Sequence, residues 1–101
     1  MKNKVILITG DGVEGLTKAA ALEVAGSGVR VNVVAPGPIE TGMLERFTGN
    51  EENKAALVSR VPLKRAGLPE EIAQAIVFLA SEKASFITGA SIAVDGGKLA
   101  G

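Results

Sequence analysis

The chain contains no cysteine, histidine, tyrosine or tryptophan, and three phenylalanines are its only aromatic residues. Without cysteine, neither a disulfide framework nor a thiolate nucleophile is available. Without histidine and tyrosine, the chain lacks the commonest general base and the phenolic acid, and the preferred zinc ligands are missing too. Asp11 and Asp95 are the only aspartates and lie far apart. We therefore expect no metal site and no hydrolase site.

Charge and length narrow the class further. Eleven basic and eleven acidic residues cancel within 101 residues, so nothing indicates a nucleic-acid partner or an anionic membrane partner. No apolar run approaches the length of a membrane span, and the N-terminal sequence shows no signal-peptide pattern. The sequence predicts one cytoplasmic domain, residues 1–101, with an aliphatic core.

Three apolar, β-branched segments predict strands that are buried on both faces, as parallel strands are. The first strand falls within residues 1–10, and the three cores are Val5–Thr9, Val29–Ala35 and Ala90–Val94. Pro36 and Gly37 stop the second strand abruptly, because proline cannot donate to a ladder and glycine allows a sharp exit. Open α/β sheets bind their ligands at such carboxyl ends of strands.

Helical patterns separate the strands. Residues 13–35 read as a helix followed by the second strand, joined to the first strand by a right-handed crossover. The core stripe of this helix is predicted to be Val13, Leu16, Ala20 and Val24, with Thr17 mostly off it. Residues 41–64 are predicted to form a lid-like region with short helices at 43–47 and 51–60. Residues 69–97 are predicted to form a helix beginning at Pro69 and the last strand.

Glycines at 10, 12 and 15 have the G-x-G-x-x-G spacing of a dinucleotide fingerprint, between a strand and a helix. Such glycines let a pyrophosphate approach backbone amides at a helix N-terminus. However, Asp11 and Glu14 place carboxylates where phosphate would lie, and no acidic residue follows the second strand at ribose-binding distance. The alternative is a tight strand-to-helix turn that only needs glycine, and the sequence favours this turn over a phosphate site.

Several longer segments resemble the short-chain dehydrogenase/reductase family, almost without interruption from Val13 to Gly97. They are VEGLTKAAALE, GVRVNVVAPGPIETGM, RAGLPEEIAQAIVFLAS and FITGASIAVDGG. The likeness is greatest to the C-terminal part of its 3-oxoacyl-carrier-protein reductase and glucose dehydrogenase members. The resemblance implies a truncated Rossmann-like α/β fold of three layers, with about three parallel strands and flanking helices. It also implies hydride transfer with NAD or NADP.

The resemblance also assigns cofactor contacts. Pro36, Gly37, Ile39 and Thr41 match the family's P-G-x-x-x-T segment, in which Ile39 and Thr41 would meet the nicotinamide carboxamide. With Gly10 and Gly12 they form the predicted cofactor site. The alternative is a proline-rich turn in which Thr41 caps the following helix.

The family's catalytic residues have no counterpart here. Its serine and Tyr-x-x-x-Lys motif should precede VEGLTK, and counting back along that motif places the tyrosine on Ile6 and the lysine on Gly10. The resemblance therefore predicts a family oxidoreductase with no catalytic residue in this chain. The alternative is a non-catalytic folding fragment or self-assembly module. Either way we expect a homo-oligomer, associating through the Ala19–Ala21 helix surface or the last strand.

Overall fold

The computed structural model describes residues 4–10, 13–40, 49 and 51–100. In chain order the elements are β1 (Lys4–Thr9), α1 (Glu14–Val24), β2 (Val29–Pro36), α2 (Glu51–Ser59), α3 (Pro69–Ala80) and β3 (Ser91–Val94). Short 3-10 turns at Ala25–Ser27 and Glu82–Ala84 follow α1 and α3. The helix predicted at 43–47 lies outside the described residues. Among the described helices, none is long and apolar enough to cross a membrane.

The three strands form one parallel sheet in the order β1-β2-β3. The register pairs Lys4 with Val29 at one end of β1 and Thr9 with Val34 at the other. On the opposite side of β2, Val33 pairs with Ser91. The predicted three parallel strands with flanking helices are thus confirmed, and all three carboxyl ends lie at the same edge of the sheet.

Helices cover the two faces of the sheet separately, which gives three layers. On one face, Ala21 of α1 packs against Val29 and Val31. On the other face, Leu79 of α3 packs against Val34. The connection from β1 to β2 and the connection from β2 to β3 step in the same direction across the sheet. Their helices, α1 and α3, nevertheless lie on opposite faces. The two connections therefore have opposite hands, and the right-handed rule can hold for only one of them.

The inward face of α1 differs from the predicted stripe. Leu16 is 68% exposed, whereas Thr17 is completely buried. The Thr17 hydroxyl donates to the Val13 carbonyl oxygen at 2.7 Å, so its burial leaves no polar group unsatisfied. Thr17 and Ala21 are small, and they let the helix approach the sheet closely. Because Ala21 is buried there, the Ala19–Ala21 surface is only partly available to a partner.

Two polar side chains of β2 fasten the loop between α3 and β3. The Arg30 guanidinium donates to the carbonyl oxygens of Leu79 at 2.9 Å and Ile87 at 3.2 Å. The Asn32 amide donates to the Ile87 carbonyl at 3.0 Å and accepts the Ala90 N–H at 3.1 Å. Asn32 is fully buried. Its side-chain hydrogen bonds add to the backbone bonds that join β2 to this segment, from the Gly89 N–H to the Val31 carbonyl and from the Val33 N–H to the Ala90 carbonyl.

Candidate functional site

The carboxyl ends of β2 and β3 border a cleft at one edge of the sheet. The Gly10 N–H donates to the Val34 carbonyl at 3.1 Å, and the Gly37 N–H donates to the Val94 carbonyl at 3.0 Å. The cleft has a volume of about 710 Å³ and a largely apolar lining that includes Pro38, Ile39, Leu63, Ile72, Ala93 and Leu99. This is the position at which parallel α/β sheets bind ligands.

Gly37 lies where β2 and β3 leave the sheet side by side. A Cβ added at Gly37 would lie 2.8 Å from both Cα and Cβ of Asp95. Backbone atoms cannot yield to such a contact without moving a strand end. Only glycine therefore fits between the two strand ends at this position.

We expect Gly37→Ala to lower the free energy of unfolding by about 1–3 kcal/mol, because the added methyl group overpacks the junction. Urea unfolding measures this change. Gly15→Ala is the matched control, since Gly15 lies in α1 with no atom within 4 Å of an added Cβ, and it should be neutral or stabilising by up to about 1 kcal/mol. Equal midpoints for Gly37→Ala and the unaltered chain would contradict the close approach.

Beyond Gly37 the chain runs beside the segment that precedes α3. Ile39 forms a parallel bridge with Gly67. In this bridge the Gly67 N–H donates to the Pro38 carbonyl at 2.8 Å, and the Glu40 N–H donates to the Gly67 carbonyl at 2.7 Å. Backbone groups alternate in direction along an extended segment. The N–H and C=O of Ile39 itself therefore point away from Gly67.

An ion pair fixes the segment that carries Gly67. The guanidinium of Arg65 donates to both carboxylate oxygens of Glu71, at 2.7 and 2.9 Å. The Leu68 N–H also donates to this carboxylate, at 2.9 Å. The hydrogen bonds from Arg65 and then from Leu68 lower the pKa of Glu71 to about 2. Glu71 is therefore ionised at neutral pH and is not a proton donor.

Asp95 shapes the third side of the cleft. Its carboxylate accepts the Gly97 N–H at 2.9 Å and the Leu99 N–H at 3.1 Å. The following Gly96 has φ of 63°, and a Cβ there would lie 2.6 Å from Val61. The sequence reasoning did not identify this turn as part of the site, although the D-G-G sequence after an apolar strand is a turn signal.

The structure brings together four of the six predicted cofactor residues at this edge: Gly10, Pro36, Gly37 and Ile39. Gly12 and Thr41 lie outside the described residues. Gly15, the third glycine of the fingerprint, lies inside α1 and has open space around it. Its packing does not require glycine.

The position that the motif assigns to the catalytic tyrosine lies away from this edge of the sheet. Ile6 is in the middle of β1, where it pairs with Val31, and it is 49% exposed. Val31 is five residues before the end of β2 at Pro36. The expectation that both faces of the first strand are buried was therefore wrong at Ile6. The reason is that α1 lies over β2 and leaves this part of β1 uncovered.

The predicted lid region is described from residue 51 onward, together with Gly49. Lys54 of α2 forms an ion pair with Glu40, immediately after the Ile39 bridge. In this region Val61 is buried, while Leu57 and Val58 are half-buried. This ion pair joins α2 to the segment that leaves β2.

The described residues supply part of what the nicotinamide end of a dinucleotide needs. A flat ring that bears a carboxamide needs apolar walls together with a backbone donor and acceptor at its rim. Pro38, Ile72 and Ala93 line the cleft and supply apolar surface, and the backbone of Ile39 supplies an N–H and a C=O. The Thr41 hydroxyl, the second predicted carboxamide contact, lies outside the described residues.

Comparisons with known proteins agree on one family. The family model described as enoyl-(acyl carrier protein) reductase matches residues 3–98. A 3-oxoacyl-[acyl-carrier-protein] reductase FabG of Thermotoga maritima is 52% identical over 86 residues, covering 85% of this chain and 34% of that protein. The corresponding reductase of Vibrio harveyi is 54% identical over 86 residues, with the same coverage of each chain.

Solved structures give the same result. A crystal structure from Agrobacterium tumefaciens, provisionally assigned as a 2-deoxy-d-gluconate 3-dehydrogenase with bound NADP, has a TM-score of 0.88 and 36% identity. The match covers 96% of this chain and 47% of the chain in that crystal structure. An oxidoreductase of the short chain dehydrogenase/reductase family from Burkholderia thailandensis has a TM-score of 0.84 and 34% identity, covering 96% and 45%. The chain thus spans about a third of its curated relatives and about half of these structures.

Proposed function

Because this chain belongs to the short-chain dehydrogenase/reductase family, we propose that it carries the nicotinamide-binding edge of an NAD(P)-dependent oxidoreductase. The observation that carries the proposal is the exit of β2. There the Gly67 bridge engages Pro38 and Glu40 and leaves the N–H and C=O of Ile39 pointing away from Gly67. Ile39 also lines the apolar cleft. NADP bound to the relative from Agrobacterium tumefaciens supports this cofactor class.

When bound, the nicotinamide ring would exchange a hydride with the carbon of a carbonyl or alcohol. The chain's own contribution is to hold and orient that ring. The backbone of Ile39 would hydrogen-bond its carboxamide, and the cleft walls would exclude water from its face. The names of the relatives suggest a 3-oxoacyl thioester or a sugar acid as the ketone substrate, and the apolar cleft favours the acyl thioester.

The chain by itself is proposed to be catalytically inactive. Ketone reduction needs a proton for the developing alkoxide, and the family's tyrosine and lysine positions are occupied by Ile6 and Gly10. The sequence has no tyrosine and no histidine. In this proposal the 101 residues bind the nicotinamide ring at the carboxyl edge of the sheet but lack the tyrosine that would donate the proton.

Cofactor affinity provides the test. We expect calorimetry with NADPH to give a dissociation constant of about 1 mM or weaker, because among the described residues we assign contacts only to the nicotinamide end. The carboxylates at Asp11 and Glu14 disfavour a pyrophosphate at the first turn. Micromolar binding that Gly12→Val abolishes would contradict this expectation and would establish the glycine fingerprint as a phosphate site.

Self-association is a second proposal, favoured by exposed apolar side chains. Val77 of α3 is 68% exposed, Leu22 of α1 is 82% exposed and Phe86 is fully exposed. In addition, β3 is an edge strand of the described sheet, with no strand paired on its outer side. The Val94 carbonyl accepts a hydrogen bond from the N–H of Gly37, directly after β2, so the backbone groups of its neighbour Ala93 point to the open side of β3. Open edges pair readily with other chains.

We expect light scattering to show dimers or larger species that Ala93→Pro shifts toward monomer. Proline removes the outward N–H at this position without removing a bond to β2. Ala93→Ser, which keeps the N–H, is the control and should associate as the unaltered chain does. A monomer at high concentration that melts sharply would contradict the proposal.

A further inference from the structure

We propose that Glu71 is a positioning residue for the nicotinamide edge, because it fixes the segment whose Gly67 holds the backbone on both sides of Ile39. The proposal rests on the proposed function for the identity of the ligand. The contacts that it invokes belong to the chain alone, so they can be tested with and without a cofactor.

The first part of the coupling runs from Glu71 to the segment before α3. Its carboxylate binds both ends of that segment: Arg65 at 2.7 and 2.9 Å, and the Leu68 N–H at 2.9 Å. Two parallel bonds from a planar guanidinium constrain direction as well as distance. Gly67 lies between these two anchors, so one side chain restrains the backbone on either side of it.

The second part runs from Gly67 to the exit of β2. The amide and carbonyl of Gly67 are both bonded there, to Pro38 at 2.8 Å and to Glu40 at 2.7 Å. There is little free space, since a Cβ at Gly67 would lie 3.0 Å from Cδ1 of Ile39 and 3.9 Å from a carboxylate oxygen of Glu71. A displacement of Gly67 would therefore displace the Ile39 backbone as well.

The role of Glu71 is separable from the general stability of α3. The helix is held to the sheet through Ile72, Ile76 and Leu79, which pack against Val34 and its neighbours. These contacts do not involve the carboxylate. Glu70 supplies a matched control, because it lies in the same first turn with the same charge but borders a different groove, beside Ala73 and Gln74.

Amide hydrogen exchange on the full chain tests the coupling. We expect Glu71→Ala to speed exchange at the Glu40 and Gly67 amides by about tenfold, while the β1–β2 ladder amide of Ile8 changes less than about twofold. Glu71→Gln keeps an acceptor for the Leu68 N–H but loses the charge, so it should give an intermediate rate. Glu70→Ala should leave the Glu40 and Gly67 amides unchanged.

A titration with NADP⁺ on the same samples separates this inference from the proposed function. The unaltered chain should show amide shift changes at Ile39 and Glu40, and these should be at least about threefold smaller in Glu71→Ala at equal concentration. If NADP⁺ shifts no amide in the unaltered chain, the proposed function fails, and the exchange rates still decide the role of Glu71. Faster exchange at Ile8 in step with Glu40 would overturn the inference, as would equal effects of Glu71→Ala and Glu70→Ala.

Discussion

The purified chain should oxidise neither NADH nor NADPH above the uncatalysed rate with the ketone substrates named above. General acid–base help is typically worth about 10²–10⁴-fold, and the chain has no tyrosine or histidine to supply it. Glu71 cannot substitute, because its hydrogen bonds with Arg65 and Leu68 hold its pKa at about 2. The measurement is the rate at which nicotinamide absorbance is lost in the presence of protein whose intact mass has been verified. Sustained turnover would contradict the prediction.

A double variant distinguishes missing chemistry from misplaced geometry. Ile6→Tyr with Gly10→Lys restores the family's residues at the counted positions. We expect it to remain inactive, because residue 6 lies in the middle of β1, paired with Val31, and not at the carboxyl edge of the sheet. Recovery of activity in this variant would show that the counted positions do approach the cofactor.

Asn32→Leu should lower the free energy of unfolding by about 2–4 kcal/mol, one of the largest effects of any single substitution in this chain. Leucine cannot accept the Ala90 N–H or donate to the Ile87 carbonyl, and both bonds involve a side chain with no solvent exposure. A buried group that loses its partner incurs its full desolvation cost. Urea unfolding gives the change in free energy.

The matched control for Asn32→Leu is Gln74→Leu. It also replaces an amide by an apolar side chain, but at an exposed position on α3, so it should stay within about 0.5 kcal/mol of the unaltered chain. Similar losses for the two variants would show that the Asn32 hydrogen bonds contribute nothing particular to the loop between α3 and β3.

The fold could be predicted from the sequence because its strands are short aliphatic runs with abrupt ends. The observed β2 and β3 begin and end within one residue of the predicted cores. The face of α1 could not be predicted in the same way. Periodicity ranks leucine above threonine as a core residue, whereas the structure buries Thr17 with its hydroxyl bonded to Val13 and exposes Leu16.

Only part of the candidate site could be predicted, because some of its residues lie far apart along the chain. Pro36, Gly37 and Ile39 lie in one short segment, residues 36–39, and carry a local signal. Gly67, Glu71 and Asp95 reach the same edge through tertiary pairing, and a bridge between Ile39 and Gly67 has no signature in the intervening sequence. The role of Asn32 could not be predicted for the same reason, because its hydrogen bonds join residues more than 50 positions apart along the chain.

The most direct test of the nicotinamide edge is a residue-resolved NMR titration of the chain with NADP⁺, comparing the unaltered protein with Ile39→Pro and Ile39→Val. Proline removes the amide assigned to the carboxamide, and valine keeps it. We predict shift changes centred on Gly37, Ile39 and Glu40 that persist in Ile39→Val and disappear in Ile39→Pro. Shift changes confined to residues 10–15, or an equal response from the two variants, would contradict the assignment of this edge to the nicotinamide.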